Sequence, residues 1–400
     1  MVTLDDLRRI VRRIESRRPL RPAREPVEKV LEGELIDTSS GPVVRVRRRY
    51  PLHHRHGGVA LESACSPSPM LARLLAPRWA EAIAEGRLLF LDTETTGLAG
   101  GTGTYAFLVG AGYLEAEAFV VDQYFMRDLD QEGGVLAAVA PLLERTTAVV
   151  TYNGGGFDLP LLETRFVLGR RPWPAALPNL DLLPPSRRVW SVALGDCRLT
   201  TLEREVLGVE RPDDVPGAFI PALYFDFLRT GRSAPLRRVL DHNRADVLSL
   251  VALLGWFALA LEGRDGLTVR PWELAGLGRL WERVDVERAA GCYRAALAAG
   301  LTGALGDWAR LRLAWWEKRR ARWESACALW EEASQGDRFD ARPWEELAKF
   351  HEHRRRDLAA ARAVVGSALG LARAAEAPAR ILEAFAYRLA RLDRRLGLSR

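Results

Sequence analysis

The pattern of apolar and polar positions divides the 400-residue chain into three parts. Between residues 87 and 262, short apolar runs alternate with amphipathic stretches, which is typical of a mixed α/β domain. The apolar run 88–91 predicts a fully buried strand, and a Thr-Thr-Gly sequence then ends it in a turn. The runs 105–113 and 118–125, separated by a short polar turn, predict an antiparallel hairpin.

The part before this domain, residues 1–86, is predicted to be an N-terminal extension. Charges alternate with apolar residues over 3–17, at the spacing of one helical face. Short strands are expected within 29–50, and a largely helical stretch is expected over 61–85.

The part from 270 to 400 is rich in Ala, Arg, Leu and Trp and carries an internal repeat. Ala290, Ala326 and Ala361 occupy matching positions in three aligned segments, separated by 36 and then 35 residues. Helix pairs at this period, with small residues where helices cross, are typical of tetratricopeptide (TPR) repeats. An irregular helical bundle is the alternative.

Composition limits the class of protein. An apolar fraction of 48% and a charged fraction of 28% are those of a soluble globular protein, and the net charge of +6 mildly favours a polyanionic partner. The four cysteines form no C-x-x-C pair. The sequence shows no apolar run near the length of a membrane span and no signal-peptide core, so we expect a cytoplasmic protein that does not enter a membrane.

Candidate chemistry begins directly after the buried strand. Asp92 and Glu94 lie at i and i+2, so on a strand both side chains point to the same face. Two anions at the end of a buried strand are costly unless cations neutralise them. Solvated acids at a strand end are the alternative, but the preceding apolar run favours a site for Mg²⁺ or Mn²⁺.

Two later segments add acids in suitable places. A strand over 148–152 runs into three glycines and then a helix that begins near Asp158, which is either a first-turn acid or a ligand presented where the strand ends. His242 and Asp246 are four residues apart and share one face of a predicted helix that starts near Pro235. That pair matters only if its face meets the Asp92 strand.

Taken together, three segments resemble the three motifs of the DEDD 3′→5′ exonucleases: 91–98, 152–158 and 242–246. With the helical repeats, the chain resembles the bacterial YprB-like group over roughly residues 30 to 371. The resemblance implies an α/β RNase H-like exonuclease domain, a mixed sheet flanked by helices, over 87–262, followed by an all-α TPR-like repeat domain.

The same resemblance implies roles for five residues in two-metal hydrolysis of a phosphodiester. Asp92 would bridge two Mg²⁺ or Mn²⁺ ions, with Glu94 and Asp246 on the ion nearer the attacking water. Asp158 would hold the other ion, partly through water. His242 would be the general base, although exonucleases of this class with a catalytic His usually place it five positions before the last Asp, and those with four positions use Tyr.

Four further residues are candidates for holding the terminal nucleotide: Thr95, Gly97, Leu98 and Asn153. For each of these residues, an ordinary structural role in a turn or in the core is an equal alternative to nucleotide binding. The expected substrate is single-stranded DNA or RNA, or a nucleic-acid end, and the repeats could dock a protein partner. Two other functions stay open, a structure-specific endonuclease on the same fold and a nucleic-acid-binding scaffold.

Overall fold

The computed structural model describes residues 26–97, 103–174, 176–263 and 266–398. The helix predicted over 3–17 and the candidate residue Leu98 lie outside this part of the chain. The chain divides into two compact units, each described by itself. The first unit comprises Met1–Pro185 and Cys197–Leu267, and the second comprises Ser186–Asp196 and Thr268–Arg400.

The first unit is built on a seven-stranded mixed sheet with the order β1-β2-β7-β6-β5-β8-β9. Strands β5, β8 and β9 run parallel to one another, and the other neighbouring pairs are antiparallel. A separate two-stranded ribbon pairs β3 with β4. In the described residues the strands are β1 (Glu34–Thr38), β2 (Gly41–Pro51), β3 (Arg55–His56), β4 (Val59–Ala60), β5 (Leu88–Thr95), β6 (Ala106–Glu115), β7 (Ala118–Phe125), β8 (Ala148–Thr151) and β9 (Asn179–Asp181).

Helices flank this sheet. A π-helical segment, Glu203–Leu207, extends α7 and ends at Gly208, whose φ of 70° is left-handed. The helices up to residue 263 are α1 (Val27–Val30), α2 (Pro69–Leu75), α3 (Ala80–Ala84), α4 (Glu132–Arg145), α5 (Asp158–Leu168), α6 (Leu183–Leu194), α7 (Leu199–Leu202), α8 (Ile220–Thr230) and α9 (Leu236–Glu262).

Several sequence predictions for this unit can be compared with the structure. The hairpin is confirmed as β6 and β7, and the strands expected within 29–50 form β1 and β2, which join the main sheet beside β7. The largely helical stretch expected over 61–85 is confirmed, although prolines divide it into short α and 3₁₀ segments. Strand β9 and helix α6 were not predicted, since neither segment shows a clear apolar period.

Helix α9 packs against the sheet through its first half and is buried along most of its second half. The contact is close because Gly110 and Gly112, on one face of β6, lie under Asn243 and Val247, one turn apart on α9. Side chains at either glycine would fill the space that the helix occupies.

The same helix is long and apolar enough to cross a membrane by length and composition alone, with a mean hydropathy of 1.8 over its most apolar window. This corrects the sequence-based expectation that no apolar run approaches the length of a membrane span. The charged residues within 241–246 obscured the apolar character of this segment in the sequence. In the structure, 67% of that window is buried inside the protein. A core helix passes the same test of length and composition.

The second unit is helical. Ala290, Ala326 and Ala361 are fully buried, and each lies on the second helix of a consecutive pair. The TPR assignment stays a prediction. A π-helical segment, Phe350–Arg355, follows α14. The helices are α10 (Pro271–Trp281), α11 (Val286–Ala298), α12 (Gly303–Arg319), α13 (Trp323–Ser334), α14 (Ala341–Lys349), α15 (Leu358–Ala374) and α16 (Ala379–Arg395).

Replacing Gly110 with Ala should destabilise the first unit, because the new β-carbon would overlap the side-chain amide of Asn243. Overpacking of this kind costs about 1–3 kcal/mol, measurable as a lower unfolding midpoint in urea. Gly291→Ala is the matched control, since nothing lies within 4 Å of a β-carbon on this helical glycine. The control should be neutral or stabilising by up to about 1 kcal/mol. Equal effects of both substitutions would contradict the proposed close approach.

Candidate functional site

Strand β5 lies inside the sheet between β6 and β8 and carries Asp92 and Glu94. Glu94 is only 9% exposed. The register between β5 and β6 shifts between Glu94 and Thr95, which marks a β-bulge. Bulges re-aim side chains at the ends of a ladder and are frequent beside active sites. The chain thus leaves the sheet immediately after presenting its two acids.

A buried row of polar side chains holds Asp92 from the helix side. Asn243 on α9 donates from Nδ2 to Asp92 Oδ2 at 2.8 Å, and its Oδ1 accepts from Gln123 Nε2 at 2.9 Å. Gln123 also donates to the carbonyl of Leu240 at 2.7 Å. Asp92, Gly110 and Gln123 face one another across β5, β6 and β7. Because Asn243 and Gln123 are fully buried, each needs these partners.

Asn243 and Gln123 were not among the predicted site residues. An amide on the helix face that meets the sheet is the signal that could have indicated Asn243, since a buried amide must find a partner. Gln123 gave no comparable signal, because it stands within an otherwise apolar strand.

Asp158 is the first residue of α5 and is 6% exposed. Phe157 is the N-cap residue of this helix, so the acid occupies the first turn, where the helix dipole favours negative charge. Thr93 on β5 donates its hydroxyl hydrogen to Asp158 Oδ1. Burial nevertheless raises the pKa of Asp158 to about 6. The threonine therefore ties the start of α5 to the strand that carries the first two acids.

Asp246 on α9 is held by a cation and faced by a histidine. Arg211 Nη2 lies 2.6 Å from Asp246 Oδ1, and His242 Nε2 lies 3.5 Å from Asp246 Oδ2. The other ring nitrogen of His242, Nδ1, is 2.7 Å from Asp214 Oδ1. A carboxylate only accepts hydrogen bonds, so a proton on Nδ1 would be donated to Asp214. The other ring nitrogen, Nε2, also faces a carboxylate, that of Asp246.

Arg211 also forms an ion pair with a buried acid, Glu203. Its guanidinium pairs with Glu203, from the π-helical segment, and lies 3.5 Å from Asp214 Oδ2. Glu203 accepts a further hydrogen bond from Ser249. Burial raises the pKa of Glu203 to about 7, against the opposing effect of Arg211. Three carboxylates, those of Glu203, Asp214 and Asp246, therefore share the one guanidinium of Arg211.

The four predicted acids interact electrostatically. Burial is the largest cause of the strongly raised pKa values of Asp92 and Glu94. Repulsion from Asp246 and Asp158 adds to the shift at both positions, and Asp92 itself acts on Glu94. Repulsion that raises the pKa values of Asp92 and Glu94 indicates a local excess of negative charge, and such an environment favours hard divalent cations.

The carboxylates are not drawn into one tight cluster. Among the described residues, the three-residue group whose possible ligand atoms all lie within 4.8 Å of one another is Cys327, Glu331 and His351, in the second unit. The acids of the first unit are spread more widely, with Asp246 turned to Arg211.

The predicted nucleotide-binding residues have structural contacts. Thr95 Oγ1 donates to the carbonyl of Gly97 at 2.8 Å and so closes the turn after β5. Asn153 adopts a φ of 62°, and its backbone amide donates to Asp181 Oδ1 at 2.8 Å. Both contacts are hydrogen bonds of the kind that stabilise ordinary turns. Contact of Thr95, Gly97 and Asn153 with a nucleotide stays a prediction.

A surface concavity of about 290 Å³ opens beside the Arg211 group. Its walls combine the π-helical segment with the loop that follows it. The lining residues are Thr200, Glu203, Arg204, Val209, Glu210, Arg211, Pro212 and Asp214.

Comparison with known proteins places this site within a known domain type. Residues 89–258 match the family described as the RNase_H superfamily, RNase_H_2. Among the curated relatives is the uncharacterized protein YprB of Bacillus subtilis (strain 168), which is 37% identical over 214 residues, 51% of this chain and 50% of YprB. The chain thus spans about half the length of that relative. The matches confirm the RNase H-like domain and its similarity to YprB.

Among solved structures, the chain is similar to a family B DNA polymerase from the hyperthermophilic archaeon Pyrobaculum calidifontis, with a TM-score of 0.31 and 18% identity. That similarity covers 49% of this chain and 29% of the polymerase chain. A likeness this weak carries no argument.

The raised carboxyl pKa values predict how stability depends on pH in the presence of EDTA. The folded chain keeps a proton on Asp158 up to about pH 6, whereas the unfolded chain releases it near pH 4. The unfolded state therefore binds fewer protons in this window, and the unfolding free energy falls as pH rises through it. Asp158→Asn should remove on the order of 2–3 kcal/mol of that decline, measured by urea unfolding across the range.

The exposed Asp226 provides the control, because it pairs with Arg229 at the surface. Asp226→Asn should leave the pH dependence of the wild type unchanged. Parallel pH profiles for wild type and Asp158→Asn would show that burial does not hold the proton on Asp158.

Proposed function

We propose that this chain, which carries an RNase H-like domain, is a divalent-metal-dependent 3′→5′ exonuclease acting on DNA or RNA by a two-metal mechanism. RNase H-like domains are typical of nucleases that use divalent metals. The observation that carries the proposal is the electrostatic effect of Asp158 and Asp246 on Asp92 and Glu94. Asp92, Glu94, Asp158 and Asp246 come from one strand and two helices, and charge repulsion acts among them.

The residues fit a pair of hard cations. Carboxylate oxygens are the ligands that Mg²⁺ and Mn²⁺ prefer, and four carboxylates neutralise two such ions while leaving positions for water and phosphate. When bound, the ions supply an activated water and stabilise the charge that develops on the phosphate. Asp92 would contact both ions, Glu94 and Asp246 the one nearer the water, and Asp158 the other.

His242 is proposed as the group that accepts the proton of the attacking water. Its Nε2 faces the Asp246 side of the site, and its Nδ1–H is directed to Asp214. Asp214 is then a positioning residue, since it fixes the tautomer and the ring orientation and stabilises the charge that His242 acquires. This contact supplies a reason for a histidine at the spacing that usually carries tyrosine.

Arg211 is proposed to have two roles at the same carboxylate. It neutralises Asp246 in the free protein, because its guanidinium is 2.6 Å from Oδ1. An ion on that oxygen requires Arg211 to move, and a planar guanidinium beside the site is well suited to phosphate oxygens. Its contact with Glu203 keeps it close in either position.

The test of this function uses oligonucleotides labelled at the 5′ end, as ssDNA, ssRNA and duplexes, with Mg²⁺, Mn²⁺ or EDTA. The expected product is a ladder that shortens from the 3′ end with release of mononucleotides, and EDTA should abolish it. Asp92→Ala should lower the rate by at least about a hundredfold, while Asp226→Ala should not change it. Internal fragments without a ladder would indicate an endonuclease. Binding with unchanged substrate length in every metal would indicate a scaffold.

The role of Asp214 makes a separate prediction. Asp214→Asn should lower kcat roughly tenfold to a hundredfold with little change in KM, because the amide can favour the wrong tautomer of His242. In a His242→Ala background the same substitution should have no further effect, since its partner is gone. Asp246→Asn should abolish turnover, whereas His242→Ala should leave a measurable rate.

The double-mutant comparison separates positioning from folding. If Asp214 only stabilises the local structure, its loss will lower kcat by the same factor with or without His242. Asp214→Glu, which keeps the acceptor, should recover part of the rate that Asp214→Asn loses.

A further inference from the structure

Three side chains with metal-binding chemistry meet in the second unit, in the part of the chain outside the RNase H-like domain. Cys327 and Glu331 are four residues apart on α13 and so share one helical face. His351 comes from the π-helical segment Phe350–Arg355. A π segment is rare in helices and is frequently found at functional sites.

The geometry of the three is close to that of a ligand set. Their possible ligand atoms, one from each residue, all lie within 4.8 Å of one another. The thiol of Cys327 donates to Glu331 Oε1, with 3.3 Å between sulfur and oxygen. The ring atom Nδ1 of His351 is buried and has no hydrogen-bond partner among the described atoms. An unpaired buried ring nitrogen is costly in a folded protein, and a bound ion or a water would satisfy it.

Burial differs among the three in a way that suits ion entry. Cys327 is 6% exposed, His351 is half-buried and Glu331 is exposed. The exposed carboxylate can move without disturbing the core, so the set can close from 4.8 Å to the shorter separations of bound ligands. The solvent side leaves a fourth position for water.

We propose that Cys327, Glu331 and His351 form a binding site for Zn²⁺, independent of the exonuclease proposal. A thiolate, an imidazole and a carboxylate together favour Zn²⁺ over Mg²⁺. Binding forms the Zn–S bond as the Cys327 thiol releases its proton to solvent. The site joins α13 to the segment that follows α14, so the ion ties two consecutive helix pairs together.

One neighbouring cation faces this site. Arg355 acts electrostatically on Cys327, but its guanidinium is engaged elsewhere. It pairs with Glu324 at 2.7 Å and lies over the ring of Phe350. Burial, followed by the contact with Glu331, raises the pKa of the Cys327 thiol to about 12, and Arg355 opposes this shift only in part, so metal binding has to displace the thiol proton.

The test uses the full chain and Co²⁺ as a spectroscopic substitute for Zn²⁺. A thiolate bound to Co²⁺ gives a charge-transfer band in the near ultraviolet, which the all-oxygen site of the first unit cannot give. We expect the band to saturate at one equivalent and to disappear when Zn²⁺ is added. Cys327→Ala and His351→Ala should each abolish it.

Cys292→Ala is the matched control, because Cys292 is a half-buried cysteine on the earlier helix α11 and lies outside the group. It should leave the band intact. Glu331→Gln changes an exposed side chain and keeps its shape, so it should leave the fold intact, and it should weaken Co²⁺ binding at least about tenfold. Zn²⁺ should also raise Tm by a few degrees in the wild type and not in Cys327→Ala.

Absence of the band in the wild type would overturn the proposal. So would a band that survives Cys327→Ala, an affinity for Co²⁺ that Glu331→Gln leaves unchanged, or a band that is lost in Cys292→Ala. None of these outcomes bears on the nuclease assay, which depends on residues of the first unit.

Discussion

Negative charge at the end of the central strand β5 is the constraint on which the rest of the first unit depends. Asp92 and Glu94 follow an apolar strand into a place with little water, and burial is the largest cause of the raised pKa of both. The surrounding residues make this arrangement tolerable. Asn243 donates to Asp92, and Thr93 donates to Asp158. Without such donors, buried carboxylates at neutral pH would cost several kcal/mol each.

Positive charge near these acids is scarce. Arg211 is shared among three carboxylates, and the nearby His56, hydrogen-bonded to Ser249 at 2.8 Å, does not add to it. Burial lowers the pKa of His56 to about 4, so its ring is neutral at physiological pH. The first unit thus keeps an excess of negative charge around Asp92 and Glu94, and an excess of this kind attracts cations in general.

Much of this arrangement could be predicted from the sequence because local patterns specify it. The apolar run before Asp92, the glycines before Asp158 and the four-residue spacing of His242 and Asp246 each placed an acid on the right element. Asp214, Arg211 and Gln123 could not be found this way, since they lie on a loop or within an apolar strand and acquire partners only through the tertiary fold. The contact of His351 with Cys327 was not predicted for the same reason. His351 lies on a later π-helical segment, and only the tertiary fold brings it to Cys327.

The pairing of Arg211 with Asp246 has a consequence for ion selectivity. A guanidinium attached to the protein competes for that carboxylate at a fixed local concentration, whatever the composition of the solution. Monovalent ions carry one charge, so they gain less from the carboxylate than a divalent ion does and compete less well with the guanidinium. The free protein therefore carries its own counter-ion at Asp246. If the acids hold metal ions as proposed, this arginine would contribute to discrimination between monovalent and divalent ions.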